Sequence, residues 1–209
     1  MPVRVVSAEE SAERDREAID SGTPSRTLMQ RAGAAAADEI VRRFGARMNE
    51  GVVVHTGPGN NGGDGWVVAG RLARAGFQVA VVEAAEAKTP DAIAERTAAL
   101  SGVLLNPDTS FARVVVDALL GTGSRGKPRG AIAESIARMN AHQRDGRSIV
   151  SLDVPSGLDA TTGDHAGCVT ADLTVSFGGV KRGTLLARDV CGEIVAADIG
   201  LGDSPALPL

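Results

Sequence analysis

The chain has 209 residues, with 43% hydrophobic and 23% charged content and a formal net charge of −4. That is the makeup of an ordinary soluble α/β domain. The acidic balance argues against nucleic acid as a partner, and no apolar run reaches the ~18 residues that suggest a membrane span. Four Phe, one Trp and no Tyr leave a core of mostly aliphatic side chains. Cys168 and Cys191 stand far from any CxxC spacing and read as reduced, buried thiols of a cytoplasmic protein. The opening MPVRVVSAEE lacks the apolar centre of a signal peptide.

In chain order, Ser7-Ala-Glu-Glu10 fits a capping box, so a helix starts there and ends near Gly22 and Pro24. A second helix spans about Ser25 to Phe44, favoured by Ala34 to Ala37. Val52-Val53-Val54 reads as a short buried strand, and a glycine-rich loop follows it. Next comes a helix with Val68, Leu72 and Ala75 on one face and Arg74 on the other. The alternation repeats with a strand at Val79 to Val82, a helix at Asp91 to Ala99 and a strand at Val114 to Val116. A helix marked by Ile132, Ile136 and Met139 and a strand at Ser148 to Leu152 come next. Leu173 to Phe177 and Ile194 to Ala197 read as late strands. Strands alternating with helices predict an α/β fold: a doubly wound, mostly parallel, Rossmann-like sheet with helices on both faces. One domain over 1–209 is the reading, with an N-terminal helical pair packed on it.

In such a sheet, ligands bind beyond the carboxyl ends of the strands. Three polar, glycine-rich loops follow strands here: GPGNNGGDG, DALLGTGSRGKPRG and SLDVPSGLDATTG. The first contains G-x-G-x-x-G, and Glu83 lies about where a dehydrogenase would contact ribose. A tight turn that binds nothing would satisfy the glycines alone. Asn60, Asn61 and Asp64 are more polar functionality than a pyrophosphate turn requires, while Gly59, Gly62 and Gly63 permit φ > 0 and close ligand approach. In the second loop, glycines and hydroxyls beside Arg125, Lys127 and Arg129 suit phosphate, without the order of a P-loop. Asp117 and Asp153 each end an apolar strand, where a carboxylate is costly unless something pairs with it. A cation, a hydrogen-bond network, a catalytic role or plain helix capping would each answer that. Ser156 has no G-x-S-x-G elbow, and no motif ties it to His55, His142 or His165, so a Ser-His-Asp hydrolase is disfavoured.

Taken together, these loops resemble the YjeF N-terminal-domain family, the NAD(P)HX epimerases. The likeness covers nearly the whole chain, from TLMQRAG through GPGNNGGDG, DALLGTGSRG and SLDVPSGLDATTG to DIGL. It implies repair of hydrated NADH and NADPH by interconversion of the R and S forms at the hydroxylated C6 of the nicotinamide ring. A dehydratase then restores NAD(P)H from the S form; with the chain ending soon after DIGL, that partner is expected on a separate chain. The resemblance also implies that Asn60, Asn61, Gly62, Gly63 and Asp64 line the substrate, as do Gly121, Thr122, Gly123, Ser124, Arg125, Gly126 and Lys127. Asp153 touches it too, and Asn61, Asp117 and Ser156 hold a potassium ion (K+). A homodimer is a family-level expectation. Trp66 stands where smaller aliphatics are common in the family, and the GGVKRGTLL stretch places Lys181 at the pocket edge.

C6 of the hydrate is a carbinolamine carbon. Acid-assisted loss of its hydroxyl gives a planar iminium, and water returns on the other face. Asp153 is the first candidate for the proton donor, with Asp64 and Lys181 behind it; ring opening and reclosure would use the same acid. Two other readings compete. One is a non-catalytic nucleotide- or protein-binding scaffold on the same fold. The other is an ordinary NAD(P) oxidoreductase, for which a chain this short offers little room for a second substrate domain.

Overall fold

The branched aliphatic runs become strands buried on both faces, as a central parallel sheet requires. In the computed structural model, which describes residues 3–201, the elements in chain order begin with β1 (Val5–Val6), α1 (Ala8–Asp20), α2 (Ser25–Phe44), β2 (Val52–Thr56) and α3 (Asn60–Arg74). There follow β3 (Val79–Glu83), α4 (Pro90–Ala99), β4 (Leu104–Leu105), β5 (Val114–Ala118), α5 (Gly130–Arg144) and β6 (Ser148–Leu152). The chain closes with β7 (Leu173–Phe177), β8 (Val180–Lys181), α6 (Arg182–Leu186), α7 (Arg188–Cys191) and β9 (Glu193–Ala197). Seven strands form one sheet in the order β4-β3-β2-β5-β6-β7-β9, every pairing parallel. From β2 the chain winds outward one way through β3 and β4. It then returns to β5 and winds the other way, so the topological switch point lies between β2 and β5.

One face of the sheet packs Val54, Val116, Val150 and Val175 against Ile40 of α2 and Trp66 and Leu72 of α3. The other packs Val53, Val115 and Ile149 against Ile136 and Met139 of α5. The capping box forms as its spacing predicts: Glu10 N donates to Ser7 Oγ at 3.1 Å and Ser7 N to Glu10 Oε2 at 2.6 Å.

Four features differ from the sequence reading. The helix after β2 begins at Asn60, inside the glycine run, so Gly62, Gly63 and Gly65 lie in its first turns. None of these glycines, nor Gly59, takes a positive φ. Ala75 is the exposed cap of α3, beyond its buried face. The short strands β1, β4 and β8 carry too few residues for periodicity to reveal. β1 pairs in parallel with β8, placing Val6 opposite Lys181 and drawing the start of the chain alongside the end of the fold.

Candidate active site

A cleft of about 560 Å³ opens at the switch point, within the size range of small-molecule sites. Its walls come from the start of α3, the segments after β5 and β6, and α1. The first turn of α3 aims backbone amides at it, since the first amide to find an intrahelical acceptor is Gly63 N, to Gly59 O at 3.2 Å. The helix can start there only because its glycines let backbones meet. A Cβ on Gly62 would overlap the carbonyl oxygen of Gly57, and one on Gly57 would overlap that of Leu119. A Cβ on Gly63 would come within 2.5 Å of Met29, and one on Gly65 within 2.5 Å of Ala118. Gly57 N donates to Ala118 O at 3.0 Å, which ties the loops after β2 and β5 together across the switch point.

Of the residues singled out in the sequence, Asn60, Asn61, Asp64, Gly121, Thr122, Gly123, Ser124 and Asp153 line this cleft. Gly62 and Gly63 lie buried behind it and contribute close packing. Gly126 and Lys127 face a separate hollow of about 130 Å³, which shares only Ser124 with the cleft. Arg125 is turned toward α1, where it pairs with Glu9 Oε1 at 2.8 Å. It also donates to Thr122 O at 2.8 Å and Ser124 O at 3.1 Å. Glu83, the acid of the dehydrogenase reading, is held by Arg96 through two bonds of 2.6 and 2.9 Å and lies outside the cleft. Among the described residues, no histidine or cysteine lines the cleft. His55 is buried against Ser135 and held near pKa 3 by that burial. The Cys168 and Cys191 thiols are buried, free, and pushed up to about 12 and about 11.

The acid–base groups of the cleft are Asp15, Asp64, Asp153 and Lys181, with Asp91 at its rim. Asp153 sits just past β6 with φ 66°, a conformation that Asp tolerates better than most residues. Its backbone N–H donates to Val175 O at 2.8 Å, and its Oδ1 accepts from Phe177 N at 3.2 Å. The same oxygen meets the Lys181 ammonium in an ion pair whose side chains are 14% and 1% exposed. Lys181 also donates to Phe177 O at 2.6 Å and Gly179 O at 3.3 Å. That geometry presents Asp153 to the cleft as one half of an ion pair with Lys181. The Asp64 carboxyl is pushed well above the ordinary 3.8, first by burial and then by the charges of Asp153 and Asp15. Asp15 is raised as well, chiefly by burial. Sequence reasoning did not find Asp15. Its signal was a polar residue at i, i+4 from Ser11 on the inner face of α1, a helix with only Ala8 and Ser11 buried.

Asn61, at the cleft wall, is tied to Ser156 and Asp117 behind it, since Asn61 and Ser156 both donate to Leu120 O. Asp117 is fully buried near the end of β5, and among the described residues it forms no ion pair. Its carboxylate accepts from Ser151 Oγ at 2.8 Å, Ser156 N at 2.8 Å, Ser156 Oγ at 2.5 Å and Leu119 N at 3.3 Å. Burial still pushes it above 3.8 against the pull of those bonds. Asn61 Nδ2 donates to Leu120 O at 3.0 Å, while Asn61 Oδ1 is buried with no hydrogen-bond partner. An orphaned buried amide oxygen, linked through Leu120 and Ser156 to a buried carboxylate, is oxygen chemistry of the kind a hard cation takes, so these residues fit one.

Fold and site together define an open parallel α/β protein with a carboxyl-lined cleft at the point where dinucleotides bind in this architecture. Residues 25–183 match the family described as YjeF-related protein N-terminus, and the chain belongs to that family. It is 34% identical to an NAD(P)H-hydrate epimerase of Limosilactobacillus reuteri over 95% of this chain and 96% of that one. It is 38% identical to a bifunctional NAD(P)H-hydrate repair enzyme of Archaeoglobus fulgidus over 91% of this chain, and there it spans 41% of the relative's length. The crystal structure of yeast ynu0 superposes with a TM-score of 0.80 at 25% identity, over 93% of this chain and 87% of the yeast one.

Proposed function

We propose that this protein is an NAD(P)H-hydrate epimerase, interconverting the R and S forms of hydrated NADH and NADPH in the cytoplasm. The observation that carries this is the cleft's chemistry. It gathers four carboxyls, Asp91 at the rim, and one ammonium at the switch point and, among the described residues, no histidine or thiol, a set suited to moving protons at one carbon. Relatives covered over almost their whole length bear that name. Among the described residues, no helix is long and apolar enough to cross a membrane.

In this reading the nicotinamide end of the substrate enters between Asn60, Asn61 and the Gly121–Ser124 segment. The ring nitrogen expels the C6 hydroxyl as it is protonated. The Asp153 carboxylate steadies the iminium electrostatically and takes the proton of the returning water. In the opposite direction it returns that proton as the acid, as microscopic reversibility requires. Lys181 holds it in place. The experiment is epimerisation of purified R-form substrate in ¹⁸O water, with the S form read by an S-specific dehydratase. The expected product carries ¹⁸O at C6. Product that keeps its original oxygen points to ring opening instead, and no epimerisation ends the proposal.

Asn61, Asp117 and Ser156 are proposed to hold a potassium ion, whose charge offsets that of Asp117 and ties the start of α3 to the segments after β5 and β6. Binding to the folded state at ten times the Kd stabilises by about 1.4 kcal/mol, or about 3–6 °C in Tm for a chain of this size. KCl therefore raises Tm relative to tetramethylammonium chloride at equal ionic strength, and Asn61→Ala removes the difference. Equal melting in both salts refutes the site.

A further inference from the structure

Sequence and functional reasoning leave open which carboxyl holds the proton before the reaction starts. Lys181 has three N–H donors, and all three are engaged: by Asp153 Oδ1, Phe177 O and Gly179 O. None remains for Asp64, which lines the same cleft. The other elements packed around Asp64 add no positive charge facing it. α1 presents Asp15, and α2 presents Met29, Ala32 and the backbone at Gly33. α4 supplies Asp91 at the rim, where its Oδ2 accepts from Ser25 Oγ at 2.6 Å. Inside the rim, Asp15, Asp64 and Asp153 thus share one ammonium already committed to Asp153. Asp64, half-buried in the cleft with Asp153 and Asp15 facing it and no cation of its own, holds its proton.

We propose that Asp64 is the second catalytic carboxyl, delivering its proton to the departing C6 hydroxyl on one face of the ring while Asp153 serves the other face. The step balances. The proton moves from Asp64 to the hydroxyl oxygen, the C6–O bond breaks, and the N1 lone pair forms the C6–N1 double bond, releasing water. A second water adds to C6 from the Asp153 side, the π pair returns to N1, and the water's proton passes to Asp153. The enzyme ends with its proton on Asp153 instead of Asp64. That form is primed for the opposite epimer, or resets through solvent. This pairing rests on the epimerase reading above. It explains why one site handles both epimers: each carboxyl is acid in one direction and base in the other.

The test uses the full chain, wild type beside Asp64→Asn and Asp64→Glu. Infrared difference spectra of wild type minus Asp64→Asn at pH 7 are expected to show a protonated-carboxyl band. Epimerisation by Asp64→Asn is expected to fall about 100-fold or more in kcat from either epimer, with NADP binding by calorimetry retained and partial recovery in Asp64→Glu. Wild-type kcat is expected to fall as pH rises through the Asp64 ionisation, a limb that Asp64→Asn lacks. Absence of the band, or near-wild-type kcat in Asp64→Asn, overturns the assignment, as does a loss confined to KM. A band in a wild-type protein that fails to epimerise overturns the functional reading instead and leaves the proton without this destination.

Discussion

Asp153→Asn is expected to lower kcat for epimerisation by about 10²–10⁴-fold, the range that a positioned acid–base group contributes. The substitution keeps size and hydrogen-bonding shape but removes the charge that steadies the iminium and the basicity that takes up the proton. A loss of transition-state stabilisation alone lowers kcat and kcat/KM together, so KM is expected to stay near the wild-type value. The variant also leaves the Lys181 ammonium, 1% exposed, with neutral partners alone: the Asn amide oxygen and the carbonyls of Phe177 and Gly179. Breaking a buried pair by deleting one partner costs about 3–5 kcal/mol, so a lowered Tm accompanies the lost rate. Asp153→Asn combined with Lys181→Met separates the two effects. Removing both charges is expected to restore much of the Tm and none of the activity. If the double variant regains kcat, the loss in the single variant was structural and Asp153 is not the catalytic carboxylate.

The sheet was legible because its central strands are almost purely branched aliphatic. Val52 to Val54 and Val114 to Val116 carry no polar side chain, so burial on both faces followed, and with it a parallel sheet. Asp117 and Asp153 were legible for the opposite reason: a carboxylate closing such a run demands a partner. Lys181 and Asp15 were harder. Lys181 reaches Asp153 because β8, two residues long, pairs with an equally short β1 from the other end of the chain. No local pattern encodes that meeting. Asp15 lies on a helix that is mostly charged, with only alanines and Ile19 as apolar residues, so its inward face had little apolar contrast to mark it. Arg125 shows the converse limit. Its setting among glycines suggested a phosphate ligand, whereas a long side chain on an exposed segment takes the nearest carboxylate, here Glu9.

The glycine run invites the largest expected stability effect, since its glycines do different work from that suggested by a loop. Glycine disfavours a helix interior by up to about 1 kcal/mol relative to alanine, so alanine at Gly62 improves local propensity. The structure predicts the opposite sign overall. The new Cβ would collide with the Gly57 carbonyl, a backbone atom that cannot swing aside, and Gly57 is itself pressed against the Leu119 carbonyl. Relief requires moving the start of α3 away from the segment after β5, which opens the switch point. Gly62→Ala is therefore expected to lose about 3 kcal/mol or more, at the severe end for one methyl group. Gly59→Ala is the matched control. Gly59 caps the same helix at φ −95°, ψ −166°, an extended conformation open to alanine, and a Cβ there meets nothing within 4 Å. Its cost is expected to stay below about 1 kcal/mol. Urea unfolding of both variants decides the matter. Equal losses would mean that the two glycines share one conformational role, while a loss confined to Gly62 assigns it to the contact between the two backbones that shape the cleft.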